Sequence, residues 1–168
     1  IDNGNVNAMC YYARTLFKFE EKEESIKYYK MAADNGSVTA MNEFGTILFQ
    51  GNGVGVNKAE AFKYFKRASE QGHIQSIINC GYMLFIGDGV PVDKAEASKY
   101  YKNAADKGDA SSMNKYAEII FKGDGVLANK EEGLKYFHMA AEKGNVDAMC
   151  KYGEILLRGE VIPQKEEE

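Results

Sequence analysis

Apolar side chains in this chain recur at helical spacing, and the pattern itself returns every 36 residues. At about 100° per residue, Ala40, Met41, Phe44, Gly45, Leu48 and Phe49 share one wide face. Ser112, Met113, Tyr116, Ala117, Ile120 and Phe121 rebuild that face two repeats later. A second stripe, Ala61, Tyr64, Phe65, Ala68 and Ser69, is rebuilt as Gly133, Tyr136, Phe137, Ala140 and Ala141. The pattern predicts two helices per repeat, a helix A ending near Phe17, Phe49, Phe85, Phe121 and Leu157, and a helix B after it. Small residues at Gly45, Gly81, Ala117 and Gly153 leave room for a neighbouring helix. Stripes this wide have to meet both the partner helix and the next repeat, which is how a solenoid buries its core.

Glycines punctuate the pattern. Gly36, Gly72, Gly108 and Gly144 are 36 residues apart and stand where a left-handed helix end belongs. The residue after each opens the next helix A: Ser37, Asp109 and Asn145 are good N-caps, as is Asn5, while His73 is a poorer one. Between A and B lie Gly51-Asn-Gly53-Val54, Gly87-Asp-Gly89-Val90 and Gly123-Asp-Gly125-Val126. Asn57 with Glu60, Asp93 with Glu96 and Asn129 with Glu132 read as capping boxes for helix B. The chain thus divides into the tail of a preceding repeat (1–4), repeats at 5–36, 37–72, 73–108 and 109–144, and a partial repeat at 145–168. All belong to one domain. The first repeat lacks the glycine loop.

Charge and composition then narrow the chemistry. The chain has 168 residues, a net charge of −4 and 45% hydrophobic residues, a globular composition with no general pull toward nucleic acid. No apolar run approaches the roughly 20 residues that span a bilayer. On helix B, Glu24, Glu60, Glu96 and Glu132 precede Lys27, Lys63, Lys99 and Lys135 by three positions. Lys30, Lys66 and Lys102 precede Asp34, Glu70 and Asp106 by four. Such spacing predicts intrahelical pairs on a solvated face, not a basic groove.

Candidate chemistry is sparse. Cys10, Cys80 and Cys150 are too few and too dispersed for a disulfide framework or, with only His73 and His138, a zinc site. They favour a reducing, cytoplasmic setting. Both histidines are read as surface residues. The loop acids lack calcium-loop spacing, and the loops lack the lysine of a phosphate loop. No catalytic, cofactor or metal site is expected.

The register of these positions resembles the Sel1-like repeat (SLR) family, relatives of tetratricopeptide (TPR) repeats. The resemblance rests on Ala40, Phe44-Gly45, Leu48, Gly51-x-Gly53-Val54, Asn57, Glu60-Ala61, Tyr64-Phe65, Arg67-Ala68-Ser69 and Gly72, and on their counterparts in the other repeats. Tyr28, Tyr64, Tyr100 and Tyr136 stand where the family has tryptophan. The resemblance implies an all-α fold, a right-handed α/α superhelical solenoid. It also implies a scaffold or adaptor for a protein or peptide, as in degradation complexes, chitin synthase regulation and host interaction. The family's cysteine-rich branch, with its β-lactam chemistry, pairs cysteines within each repeat, and this chain lacks those pairs. A structural spacer or oligomerisation segment of a larger protein is the alternative.

In that architecture helix A lines the concave surface. The wheel leaves a stripe there that changes from repeat to repeat: Asn7, Tyr11, Arg14, Lys18; Thr39, Glu43, Thr46, Gln50; Gln75, Asn79, Tyr82, Ile86; Ser111, Lys115, Glu118, Lys122; Asp147, Lys151, Glu154, Arg158. Varied residues on a fixed frame suit a reading surface. The candidate partner-binding residues are Tyr11, Arg14, Glu43, Asn79, Tyr82, Ile86, Lys115 and Glu118, with Asn42, Asn79 and Asn114 as hydrogen-bonding groups. Tyr82 and Ile86 are the expected anchors. The sequence opens and closes inside repeats, which predicts a piece of a longer array with ends able to stack on a second copy.

Overall fold

The computed structural model describes residues 3–159. The outermost parts of the two partial repeats, residues 1–2 and 160–168, lie outside the described residues. Among the described residues there are nine α-helices and no strand: α1 (Asn3–Lys18), α2 (Lys22–Asp34), α3 (Val38–Gln50), α4 (Lys58–Glu70), α5 (Ile74–Ile86), α6 (Lys94–Asp106), α7 (Ala110–Lys122), α8 (Lys130–Glu142) and α9 (Val146–Arg158). Odd-numbered helices are helix A of a repeat and even-numbered ones helix B. The chain forms two compact units, one ending at Val92 and one beginning at Asp93. Within the first, successive helices from α1 to α5 pack on one another; within the second, those from α6 to α9 do the same.

One residue both closes each helix B and opens the next helix A. Gly36, Gly72, Gly108 and Gly144 hold φ of +97°, +83°, +95° and +86°, where a side chain would be strained. This turns the following backbone N–H onto the last helical turn: Ser37 donates to the Ala32 carbonyl (3.0 Å) and His73 to that of Ala68 (3.2 Å). The same residue's side chain then caps the new helix, Ser37 Oγ accepting from the Ala40 N–H and Asp109 Oδ1 from the Ser112 N–H. His73 performs this task fully, its Nδ1 accepting from the Ser76 N–H at 3.3 Å. The imidazole is half-buried at the joint, not a surface group as expected.

Helix B opens with a variant of the expected capping box. Asn57 Oδ1 accepts from the Glu60 N–H, but the Glu60 carboxylate takes the Asn57 side-chain amide at 2.9 Å. The Asn57 backbone N–H is already committed to the Leu48 carbonyl (2.8 Å), as that of Asn129 is to Ile120 (2.8 Å). This bond draws the loop back onto helix A. In the first repeat, whose A–B loop has no glycine, Glu20 adopts φ +64° and Glu21 provides no side-chain cap. There α1 begins at Asn3, so Asn5 lies inside the helix and does not cap it.

The apolar stripes form the core, with two corrections. Ile47, Met83 and Ile119 are also buried, so the core face of helix A is wider than the wheel suggested. The charges of helix B do not simply neutralise one another along it. Lys30–Asp34 and Lys99–Glu96 form as expected. Lys102, however, reaches Glu132 one repeat on (2.8 Å) and Tyr116 (3.3 Å), while Asp106 accepts from the Tyr136 hydroxyl (2.8 Å). Tyr64 donates to Asp34 in the same way (2.9 Å). The loop acids Asp88 and Asp124 bind Lys58 and Lys94 of the preceding helix B, at 2.7 and 2.6 Å. Polar groups therefore tie each repeat to its neighbour. Burial, with Asp106 as acceptor, pushes the Tyr136 phenol up to about 12. The Lys102 bond holds the Glu132 carboxyl below its usual range.

Candidate functional site

The predicted stripe of helix A frames a groove in each unit. In the first, α3 contributes Thr46, Phe49 and Gln50, and α5 contributes Gln75, Asn79, Tyr82 and Met83. Phe65 of α4 completes the lining of a groove of about 380 Å³. That volume falls within the range of ligand clefts, about 300–1,000 Å³. Gly45 lets Phe65 take its place: a Cβ there would lie 2.8 Å from the ring. In the second unit, Glu118, Phe121 and Lys122 of α7, Phe137 of α8, and Lys151, Glu154, Ile155 and Arg158 of α9 line a groove of about 250 Å³.

The two grooves occupy equivalent positions two repeats apart. Their frame persists as Phe49/Phe121, Phe65/Phe137 and Met83/Ile155. Their rims do not: Thr46/Glu118, Gln50/Lys122, Asn79/Lys151 and Tyr82/Glu154 differ in charge and size. The first rim carries no charged residue, whereas five of the eight residues lining the second are charged.

Each candidate residue has a definite place. Tyr11 is 71% exposed on α1. The Arg14 guanidinium lies 4.0 Å from Glu43 of α3. Asn79 and Tyr82 (47% exposed) enter the first groove, and Ile86 (46% exposed) follows one turn beyond Tyr82. Gln75 Nε2 donates to Asn79 Oδ1 at 3.1 Å. Glu118 is bridged by Lys115 at 3.4 Å and by Lys151. Burial and the nearby Lys115 lower the Lys151 pKa.

Two of the asparagines turn inward. Asn42 Oδ1 accepts from the buried Ser76 hydroxyl at 3.0 Å, joining α3 to α5. Asn114 Oδ1 is buried without a hydrogen-bond partner. The structure thus brings Asn79 and Tyr82 together, and Lys115 with Glu118, but gives Asn42 an internal role. In the apolar frame of the first groove, Phe49 and Phe65 were missed as site-forming because helical spacing assigns them to the core, and Met83 because it lay on neither the core face nor the varied stripe of the wheel. The regular return of Phe49, Phe85 and Phe121 at the edge of the core face was the available signal.

The comparisons agree with this architecture. The Sel1 repeat model matches residues 8–37, 38–73, 74–109, 110–145 and 146–168, and the chain belongs to the Sel1 repeat family. Its fold is an all-α helical-repeat solenoid, the TPR-like class, and such repeats generally serve as scaffolds for protein interaction. Among solved structures, a protective antigen of uropathogenic Escherichia coli displaying an SLR fold superposes with a TM-score of 0.80 at 30% identity, over 84% of this chain and 30% of that one. A Sel1 repeat protein from Oxalobacter formigenes gives 0.77 at 28% identity, over 92% of this chain and 65% of that one. Cysteine-rich protein B of Helicobacter pylori shares the fold, with a TM-score of 0.58 at 23% identity over 77% of this chain and 92% of that one. The chain therefore spans less than two thirds of the first two proteins. A comparison with curated protein sequences found no significant match.

No described helix is long and apolar enough to cross a membrane. Among the described residues no group of three or more His, Cys, Asp or Glu side chains is placed to hold a metal ion.

Proposed function

We propose that this chain is a binding scaffold whose helix A grooves each receive a segment of a partner protein, with no turnover. One observation carries the reading: equivalent grooves keep their aromatic and aliphatic frame while the rim changes from uncharged to charged. A frame needed only for packing would place no demand on the rim, whereas discrimination among partners depends on rim chemistry. Tyr82 and Ile86, half-exposed along one stripe, supply the apolar anchors that commonly dominate such interfaces, at about 2 kcal/mol or more each.

Affinity capture from native lysate tests this, with wild type beside Tyr82→Ala/Ile86→Ala. Both side chains are far from fully buried, so the variant is expected to fold. A partner held by the wild type and lost by the folded variant is the expected result. An identical catch from both proteins would remove the first groove from the binding surface.

A further inference from the structure

No residue lining the first groove is charged, and the groove carries a hydrogen-bonded pair of carboxamides. Gln75 Nε2 donates one of its two hydrogens to Asn79 Oδ1 at 3.1 Å. That bond fixes both side chains on adjacent turns of α5. It leaves the Gln75 carbonyl oxygen as acceptor and the Asn79 amide hydrogens as donors. A peptide unit offers the converse, one N–H and one C=O. Gln75 is exposed and Asn79 half-buried, so the pair stands at the rim with Phe49, Phe65, Tyr82 and Met83 beside it. A charged side chain entering here would lose water and meet no opposite charge among the lining residues, which is costly. An apolar side chain would meet three aromatic rings and a thioether.

We infer that the groove between α3 and α5 is a subsite for an uncharged stretch of a partner chain, with one large apolar side chain inserted and its backbone held by Gln75 and Asn79. The inference rests on the binding role proposed above and adds the chemistry of what is bound. The groove between α7 and α9 is the internal contrast. Its rim replaces Thr46, Gln50 and Asn79 by Glu118, Lys122 and Lys151, and so selects charged segments instead.

The test pans a phage-displayed library of random twelve-residue peptides on the 168-residue chain. Enriched peptides are then synthesised and titrated by fluorescence anisotropy. A rim-exchange variant, Thr46→Glu/Gln50→Lys/Asn79→Lys, gives the first groove three of the four differing rim residues of the second and keeps Tyr82 as anchor. Asn79→Ala serves as a milder variant, and circular dichroism confirms that both fold. The expected result is a peptide class with a large apolar residue flanked by uncharged ones. Its affinity should fall about tenfold or more on rim exchange and severalfold on Asn79→Ala.

Enriched peptides with charged flanks, or affinity indifferent to both variants, would overturn the inference. An empty selection would overturn it too. If lysate capture still depended on Tyr82 and Ile86, the groove would be in use and only its assigned chemistry wrong. If capture were also indifferent to those residues, the binding role itself would fail.

Discussion

Single residues carry several of the joins between repeats, and there the structure makes sharp forecasts. Asn42 and Asn114 occupy the same position two repeats apart. Asn42 accepts from Ser76, but the residue standing to Asn114 as Ser76 stands to Asn42 is Ala148, and Asn114 Oδ1 has no partner. Ala148→Ser should supply the missing donor. A satisfied buried hydrogen bond contributes about 1 kcal/mol, so the urea midpoint should rise accordingly, and a fall would contradict the assignment. The same logic applies to the uncapped start of α2. Glu21→Asn, with Glu24 in the place Glu60 takes beside Asn57, should add about 1 kcal/mol by the same measurement. In the opposite direction, Gly45→Ala forces a Cβ to 2.8 Å from the Phe65 ring. Its expected cost is about 1–3 kcal/mol in urea unfolding. Phe65 lines the first groove, so peptide affinity should fall as well.

Helices form a level of their own, because each end is shared with a neighbour. At the joint between α4 and α5 the shared residue is titratable. Burial lowers the His73 pKa, with Glu43 acting weakly the other way. The neutral imidazole is the form that accepts from the Ser76 N–H. Its contribution is present above the unfolded value of about 6.5 and is lost as pH falls through the lower folded value. His73→Asn, which caps without titrating in this range, should flatten the decline in stability below about pH 6.5. Equal slopes for wild type and variant, measured by urea unfolding from pH 7.5 to 5, would refute this account of the joint. The cap itself was legible only as a weak one, since rank lists of N-caps reflect average settings and His73 is held in place by the glycine before it.

For the whole chain, the sequence told most where contacts run between sequence neighbours. The helix pairs, the glycine ends and the stripe carrying Asn79 and Tyr82 all follow from a helical wheel repeated every 36 residues. The links between repeats do not. Tyr64 with Asp34 and Lys102 with Glu132 are 30 residues apart, a separation no single-helix wheel examines. Lys102 with Asp106 looked like an intrahelical pair for that reason. Likewise the grooves were half-visible: their rims appeared as a varied stripe, while Phe49 and Phe65 passed as core because each stands on the apolar stripe of its helix and also lines the groove.

Site-specific photo-crosslinking tests the binding role most directly. A photoreactive amino acid is placed at Ile86 on the groove stripe or, separately, at Lys63 on the outer part of α4, and each protein is irradiated in native lysate. Discrete protein adducts from position 86 and none from position 63 are the predicted result. Adducts from position 63 alone, or none from either, would contradict a partner-binding surface on helix A.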